Sequence, residues 1–168
     1  LLALTISTIM WVDIFNIYIW LLLYITLGFG LIGFIDDYIK LSKFSYKGLS
    51  TKIKLLMQLF FAISFCYFFL FFSEEANTIL NFPIFKNLAV DLGYFWFIFA
   101  IIVLVGSSNA VNLTDGLDGL AIVPIIIVAA TFAAVSYLVG NSIFSNYLNL
   151  IYIKGIGELA IFCSALIG

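Results

Sequence analysis

The chain has no histidine and no arginine, only two cysteines, and very little charge of either sign. Each shortage excludes something. Without histidine there is no imidazole base and no histidine-based metal site within these 168 residues. Cys66 and Cys163 lie in separate apolar runs without a CxxC spacing, so they read as small buried hydrophobes rather than redox or metal ligands. Charged residues make up 10% of the chain and apolar ones 65%, with a mean hydropathy of +1.24. Soluble domains carry roughly a quarter charged residues, so a soluble fold is excluded. Leu is the first residue, and the last apolar run stops at Gly168 without a polar flank. The sequence therefore reads as an internal piece of a longer membrane protein, on which a signal peptide cannot be judged.

Long apolar runs dominate what is present. A bilayer-crossing helix needs about 20 apolar residues, and four runs qualify: 14–35, 53–72, 92–111 and 119–139. Two more, 1–12 and 155–168, are cut by the chain ends. The runs do not alternate as barrel strands would, and in lipid only helices or closed barrels satisfy the backbone. The expected fold is all-α, a polytopic transmembrane helical bundle of four complete spans and two truncated ones. Residues 1–168 are expected to form one integral membrane domain, truncated at both ends, with cytoplasmic loops at 36–54 and 109–119. The segment 81–90 has weak strand character and admits a short hairpin.

Charge placement sets the topology. Five of the seven lysines fall between Lys40 and Lys54, and lysine-rich short loops stay on the cytoplasmic side. Counting spans from that loop puts 73–91 outside and returns 112–118 to the cytoplasm. The same parity places Asp13, Asn16 and the 140–154 segment outside. The two acidic clusters, Asp36-Asp37 and Asp115 with Asp118, are therefore expected at one membrane face.

Those clusters carry the chemistry. Acids and amides in a membrane chain are costly and default to a functional reading. Asp36 and Asp37 close a helix where the macrodipole prefers cations, although Lys40 could pair with an acid one turn away as at any charged boundary. Asn109, Asn112, Asp115 and Asp118 recur every three residues, while Gly116 and Gly119 argue that the helix ends there and the backbone turns toward a ligand. Carboxylate and amide oxygens suit Mg²⁺, which keeps substrate phosphates in its shell. Ser50 or Thr51 can cap the helix that comes after Lys47-Gly48-Leu49. The lysines of this segment could hold phosphate or simply anchor the topology. Gly28, Gly30 and Gly33 match a GxGxxG pattern, but that pattern signals a dinucleotide only between a strand and a helix. Inside a span it reads as close helix packing.

Three segments carry a resemblance: Ile32-Gly33-Phe34-Ile35-Asp36-Asp37-Tyr38-Ile39-Lys40, then Lys47-Gly48-Leu49, then the stretch from Gly106 through Asn109, Asn112, Asp115 and Asp118 to Ala121. In order and spacing the chain resembles the bacterial phospho-N-acetylmuramoyl-pentapeptide-transferase family of the polyprenyl-phosphate N-acetylhexosamine-1-phosphate transferase superfamily. The resemblance implies a Mg²⁺-dependent phospho-sugar transferase of peptidoglycan synthesis in the bacterial plasma (inner) membrane, with a cytoplasmic active site. It would move phospho-MurNAc-pentapeptide from UDP-MurNAc-pentapeptide to undecaprenyl phosphate, giving lipid I and UMP. It implies Asp36 as the base that deprotonates the lipid phosphate or orients it, and Asp37 as support for the cation and diphosphate. It assigns Asn112 and Asp115 to the catalytic pocket, with Asp37 and Asp115 as metal ligands. Gly116, Leu117 and Asp118 match a uridine pocket, and Lys40 and Lys52 match phosphate contacts. A homodimer is admitted, the lipid bilayer is the medium, and no nucleic acid is expected. A further aspartate in a Met-Gly-Asp motif, the principal Mg²⁺ ligand, and a histidine-rich loop are expected beyond Gly168, so the 168 residues alone should be inactive. The alternatives are a GlcNAc-1-phosphate transferase of the same superfamily and a cation-coupled transporter, which would place its acids near mid-bilayer.

Overall fold

A computed structural model describes residues 1–42, 48–73, 78–81, 89–115, 119–148 and 150–168. In chain order its elements are α1 (Leu2–Trp11), α2 (Ile17–Ser42), α3 (Thr51–Phe72), β1 (Ile79–Asn81), β2 (Ala89–Asp91), α4 (Phe95–Thr114), α5 (Ile122–Gly140), α6 (Ser142–Tyr147), a 3₁₀ turn (Ile156–Glu158) and α7 (Leu159–Ile167). Among the described residues four helices, α2 to α5, are long and apolar enough to cross a membrane. The chain is a polytopic helical membrane protein, as its apolar runs require. Large side chains such as Phe60 and Phe71 are two-thirds exposed, which in lipid is the favourable environment.

Helix ends differ from the ends of the apolar runs. Helix α2 continues past Ile35 to Ser42, so Asp36, Asp37 and Lys40 form its last turns rather than the start of a loop. Helix α3 begins where expected, with the Ser50 hydroxyl accepting from the Ile53 N–H at 3.4 Å. Between α3 and α4 the strands β1 and β2 pair antiparallel, Ile79 opposite Asp91 and Leu80 opposite Val90. This is the short hairpin, added to an otherwise helical chain. The Asp91 carboxylate accepts from the Thr78 hydroxyl and from the Gly93 N–H, and these bonds hold it below the usual carboxylate range. A depressed pKa contributes stability above the ordinary value and loses it as pH falls through the depressed one. Protection of the Gly93 amide from hydrogen exchange should accordingly fall once pH drops below the usual carboxylate range. Protection independent of pH would contradict the clasp.

Two compact units emerge, Leu1–Leu27 with Val111–Gly168, and Gly28–Ala110. In the first, Ile19 and Leu23 of α2 meet Ala129 of α5 and Phe162 and Cys163 of α7 in a buried apolar cluster. Gly140, at the end of α5, lies so close to the Gly157 backbone that a Cβ there would collide with it. The Asn16 amide donates to the Gly155 carbonyl at 2.7 Å, and Glu158 accepts from the Asp13 N–H at 2.9 Å. The Asp13–Asn16 turn and the start of the 3₁₀ turn thus share one end of this unit. Asn141 caps α6 by accepting from Ile143 and Phe144.

In the second unit α2 packs on α3 through Gly28. A Cβ at Gly28 would stand 2.5 Å from Cδ1 of Phe61, whereas one at Gly33 would meet nothing within 4 Å. Close packing therefore rests on the first glycine of the pattern and not on the third. Gly28→Val should destabilise the full-length protein by about 1–3 kcal/mol, the usual range for overpacking, and Phe61→Ala in the same background should restore part of the loss. Unfolding in mixed detergent micelles reads both. Equal stability of Gly28→Val and the parent would rule out the contact. Farther along, Phe69 of α3 stacks on Trp96 of α4 at 5.6 Å.

Candidate active site

The last two turns of α2 hold the first polar cluster. Asp36 and Lys40 are one helical turn apart, and the Lys40 ammonium sits 2.7 Å from Asp36 Oδ2 and 3.0 Å from Asp37 Oδ1. One cation therefore neutralises two adjacent carboxylates that would otherwise repel each other beside a helix C-terminus. The two acids are unlike. The Asp36 side chain is 14% exposed and that of Asp37 is 72% exposed. Asp36 is fixed from a second direction, because its Oδ1 accepts the Leu49 N–H at 2.7 Å.

Gly48 explains how that bond forms. A Cβ at Gly48 would run into the Asp36 carboxylate, with Lys40 Cε at 2.8 Å. Only a residue without a side chain lets the stretch of chain before α3 lie this close to α2. The Lys-Gly-Leu piece thus has a geometric reason for its glycine and uses the main chain of its leucine. Lys47 lies outside the described residues. Lys52 is exposed on the first turn of α3, and Lys54 is half-buried.

The second cluster rides on α4. Asn109 is half-buried, and its amide donates to the Gln58 side-chain carbonyl of α3 at 2.9 Å and to the Val105 carbonyl at 2.8 Å. Asn112 comes one turn later and is exposed. Helix α4 ends at Thr114, and Asp115 completes the last turn by donating its N–H to the Val111 carbonyl at 3.0 Å, its side chain exposed. So the polar stripe is helical as far as Asn112 and leaves the helix at Asp115. Gly116, Leu117 and Asp118 lie outside the described residues. Gly119 has φ +84°, the left-handed region that favours glycine, and its carbonyl accepts from Ile122 at the entry to α5.

Asp36, Asp37, Lys40 and Lys52 belong to the second unit, Asn112 and Asp115 to the first. Among the described residues no three His, Cys, Asp or Glu side chains gather as a metal cage. Asp37 and Asp115 each expose a carboxylate, the hard oxygen donor that Mg²⁺ takes one or two of while it fills its shell with water and substrate phosphate. Three contributors were not legible as such: Gly48 as the point of close approach, the Leu49 N–H, and Gln58. The last had a signal, a lone amide in an otherwise apolar span.

The model of the family described as glycosyl transferase family 4 matches residues 19–168. The chain is 52% identical over 162 residues to the phospho-N-acetylmuramoyl-pentapeptide-transferase of Rickettsia felis, and 51% identical to the proteins of the same name from Rickettsia canadensis and Rickettsia montanensis. Each alignment takes in 96% of this chain and 45% of the relative. The chain thus spans rather less than half the length of the curated relatives it matches.

Proposed function

The chain belongs to glycosyl transferase family 4, and from that premise we propose that it is part of a membrane phospho-sugar transferase making the lipid-linked precursor of peptidoglycan. The reaction joins the phosphate of undecaprenyl phosphate to the sugar-bearing phosphorus of UDP-MurNAc-pentapeptide. A new P–O–P bond forms, the bond to the uridylate breaks, and UMP leaves with the electron pair. The observation that carries the reading is the Asp36 clamp. A carboxylate pinned by a backbone N–H and by a lysine shared with its neighbour stands at the end of a membrane helix, in a chain half identical to proteins named for this transfer.

Phosphoryl transfer needs positioning and charge neutralisation more than covalent help. Asp36 has both oxygens engaged, which favours orienting the lysine and the lipid phosphate over removing a proton. Lys40 can exchange a carboxylate for a phosphate oxygen at little cost, since it is 40% exposed. Lys52, on the first turn of α3, meets the second phosphate. Asn112 and Asp115 hold the diphosphate side, and Gly116, Leu117 and Asp118 the uridine. Mg²⁺, held by Asp37 and Asp115, would neutralise the charge that builds on the departing uridylate. The active site faces the cytoplasm of the bacterial inner membrane.

The purified full-length protein, given UDP-MurNAc-pentapeptide and undecaprenyl phosphate in Mg²⁺, should release UMP in step with a lipid-linked product. Release from UDP-GlcNAc in place of the muramoyl substrate would transfer the reading to the GlcNAc-1-phosphate enzymes. No release from either would overturn it.

The lysine segment gives a finer test. A basic residue near an anionic surface is worth about 1 kcal/mol and is screened by salt. Lys52→Ala should raise the apparent KM for the anionic substrates roughly five-fold at low salt, and less at high salt. Lys43→Ala, at a position outside the described residues, should change it little. Equal small effects would reduce the segment to a topology signal and remove Lys52 from the site.

A further inference from the structure

Gln58 is 3% exposed, two turns into α3, among apolar residues on every side of the sequence. Its side-chain carbonyl accepts the Asn109 amide of α4 at 2.9 Å. Asn109 donates also to Val105, one turn back on its own helix. Buried amides inside a membrane span are costly unless they are paired, and apolar side chains alone would let two smooth helices slide or rotate against each other. An amide pair has one length and one direction, so it fixes both the axial register and the rotation of α4 on α3 at this level. Past Asn109, α4 carries Asn112 one turn on and closes at Asp115. A rotation of α4 about its axis by one residue's step of roughly 100° would carry both of them to another face.

We propose that Gln58 and Asn109 form a positioning lock: the amide pair sets the rotation of α4 and so aims Asn112 and Asp115, without either lock residue touching substrate. The proposal rests on the transferase reading of Asn112 and Asp115, and it adds Gln58, a residue of a different helix, to what that site depends on. It also separates Asn109 from the later residues of its motif. Asn109 turns toward α3, while Asn112 and Asp115 are exposed.

The test uses the full-length protein and three variants. Gln58→Leu and Asn109→Leu each remove one partner. The exchange Gln58→Asn with Asn109→Gln keeps one amide on each helix and the same combined side-chain length. Each single variant should lose about ten-fold or more in kcat, with the KM for both substrates within about two-fold of the parent. The exchange should recover about half of the parent kcat or more. Melting temperature in detergent is followed alongside. Single variants that turn over normally would overturn the lock. So would a loss that tracks melting temperature and is equally deep in the exchange, because that pattern belongs to packing alone. A loss confined to KM would place these residues on the substrate and overturn the positioning role. Failure of the parent itself to make product would instead defeat the transferase reading, so the two failures are distinguishable.

Discussion

In the full-length protein, Asp36→Asn and Asp115→Asn are each expected to cut lipid-linked product formation by about 10²–10⁴-fold, the span found when a positioned acidic group is removed. The amide keeps the shape of the carboxylate. At position 36 its carbonyl still accepts the Leu49 N–H, so the local fold survives. What disappears is the negative charge that holds the Lys40 ammonium between two carboxylates. At position 115 the side chain is exposed and its N–H already closes the last turn of α4, so the loss there falls on chemistry and not on the helix. Detergent melting temperatures near that of the parent should accompany both losses. Near-normal turnover by the two purified variants would remove both residues from the site.

Gly48→Ala is the second large effect, and it comes from a methyl group that touches no substrate. The new Cβ would overlap the Asp36 carboxylate and crowd Lys40. Either the chain before α3 retreats and the bond from the Leu49 N–H is lost, or Asp36 swings away from Lys40. Misplacing a functional group by about 1 Å can cost roughly 10² in rate, and a loss of that order is expected in kcat. Gly48→Ala combined with Asp36→Asn should then be little worse than Asp36→Asn alone, because both changes act through one carboxylate. Full additivity of the two losses would show that Gly48 matters for some other reason.

Much of this architecture could be read from hydrocarbon alone. The four spans come from run length, and the Ser50 cap and the hairpin from local residue chemistry. Run length marks what lies in lipid, however, and not where a helix stops. Asp36, Asp37 and Lys40 are compatible with continued helix because the lysine sits one turn from the acids, so α2 runs on to Ser42. Helix α4 starts at Phe95, three residues later than its apolar run, because Leu92 still bonds back to Thr78 and Gly93 turns with φ +50°. Helix α6 lay in a segment read only as external; its signal was Asn141 before Ser142, a side chain able to cap. The two motifs could be picked out because polar groups in such a chain stand out. Their supports were not. Gly48 reveals its role only when α2 and the chain before α3 are side by side, and Gln58 only when its partner on α4 is known.

The central proposal is that the acidic end of α2 and the acidic end of α4 both face the cytoplasm. Sidedness tests it most directly. Single cysteines at exposed Leu41 and Leu120, in a full-length protein whose buried Cys66 and Cys163 are replaced by alanine, would be probed with a membrane-impermeant maleimide. Both positions should react in inverted inner-membrane vesicles and neither in intact spheroplasts. Labelling of the two positions from opposite sides of the membrane would contradict a shared site, whatever the identity of the substrate.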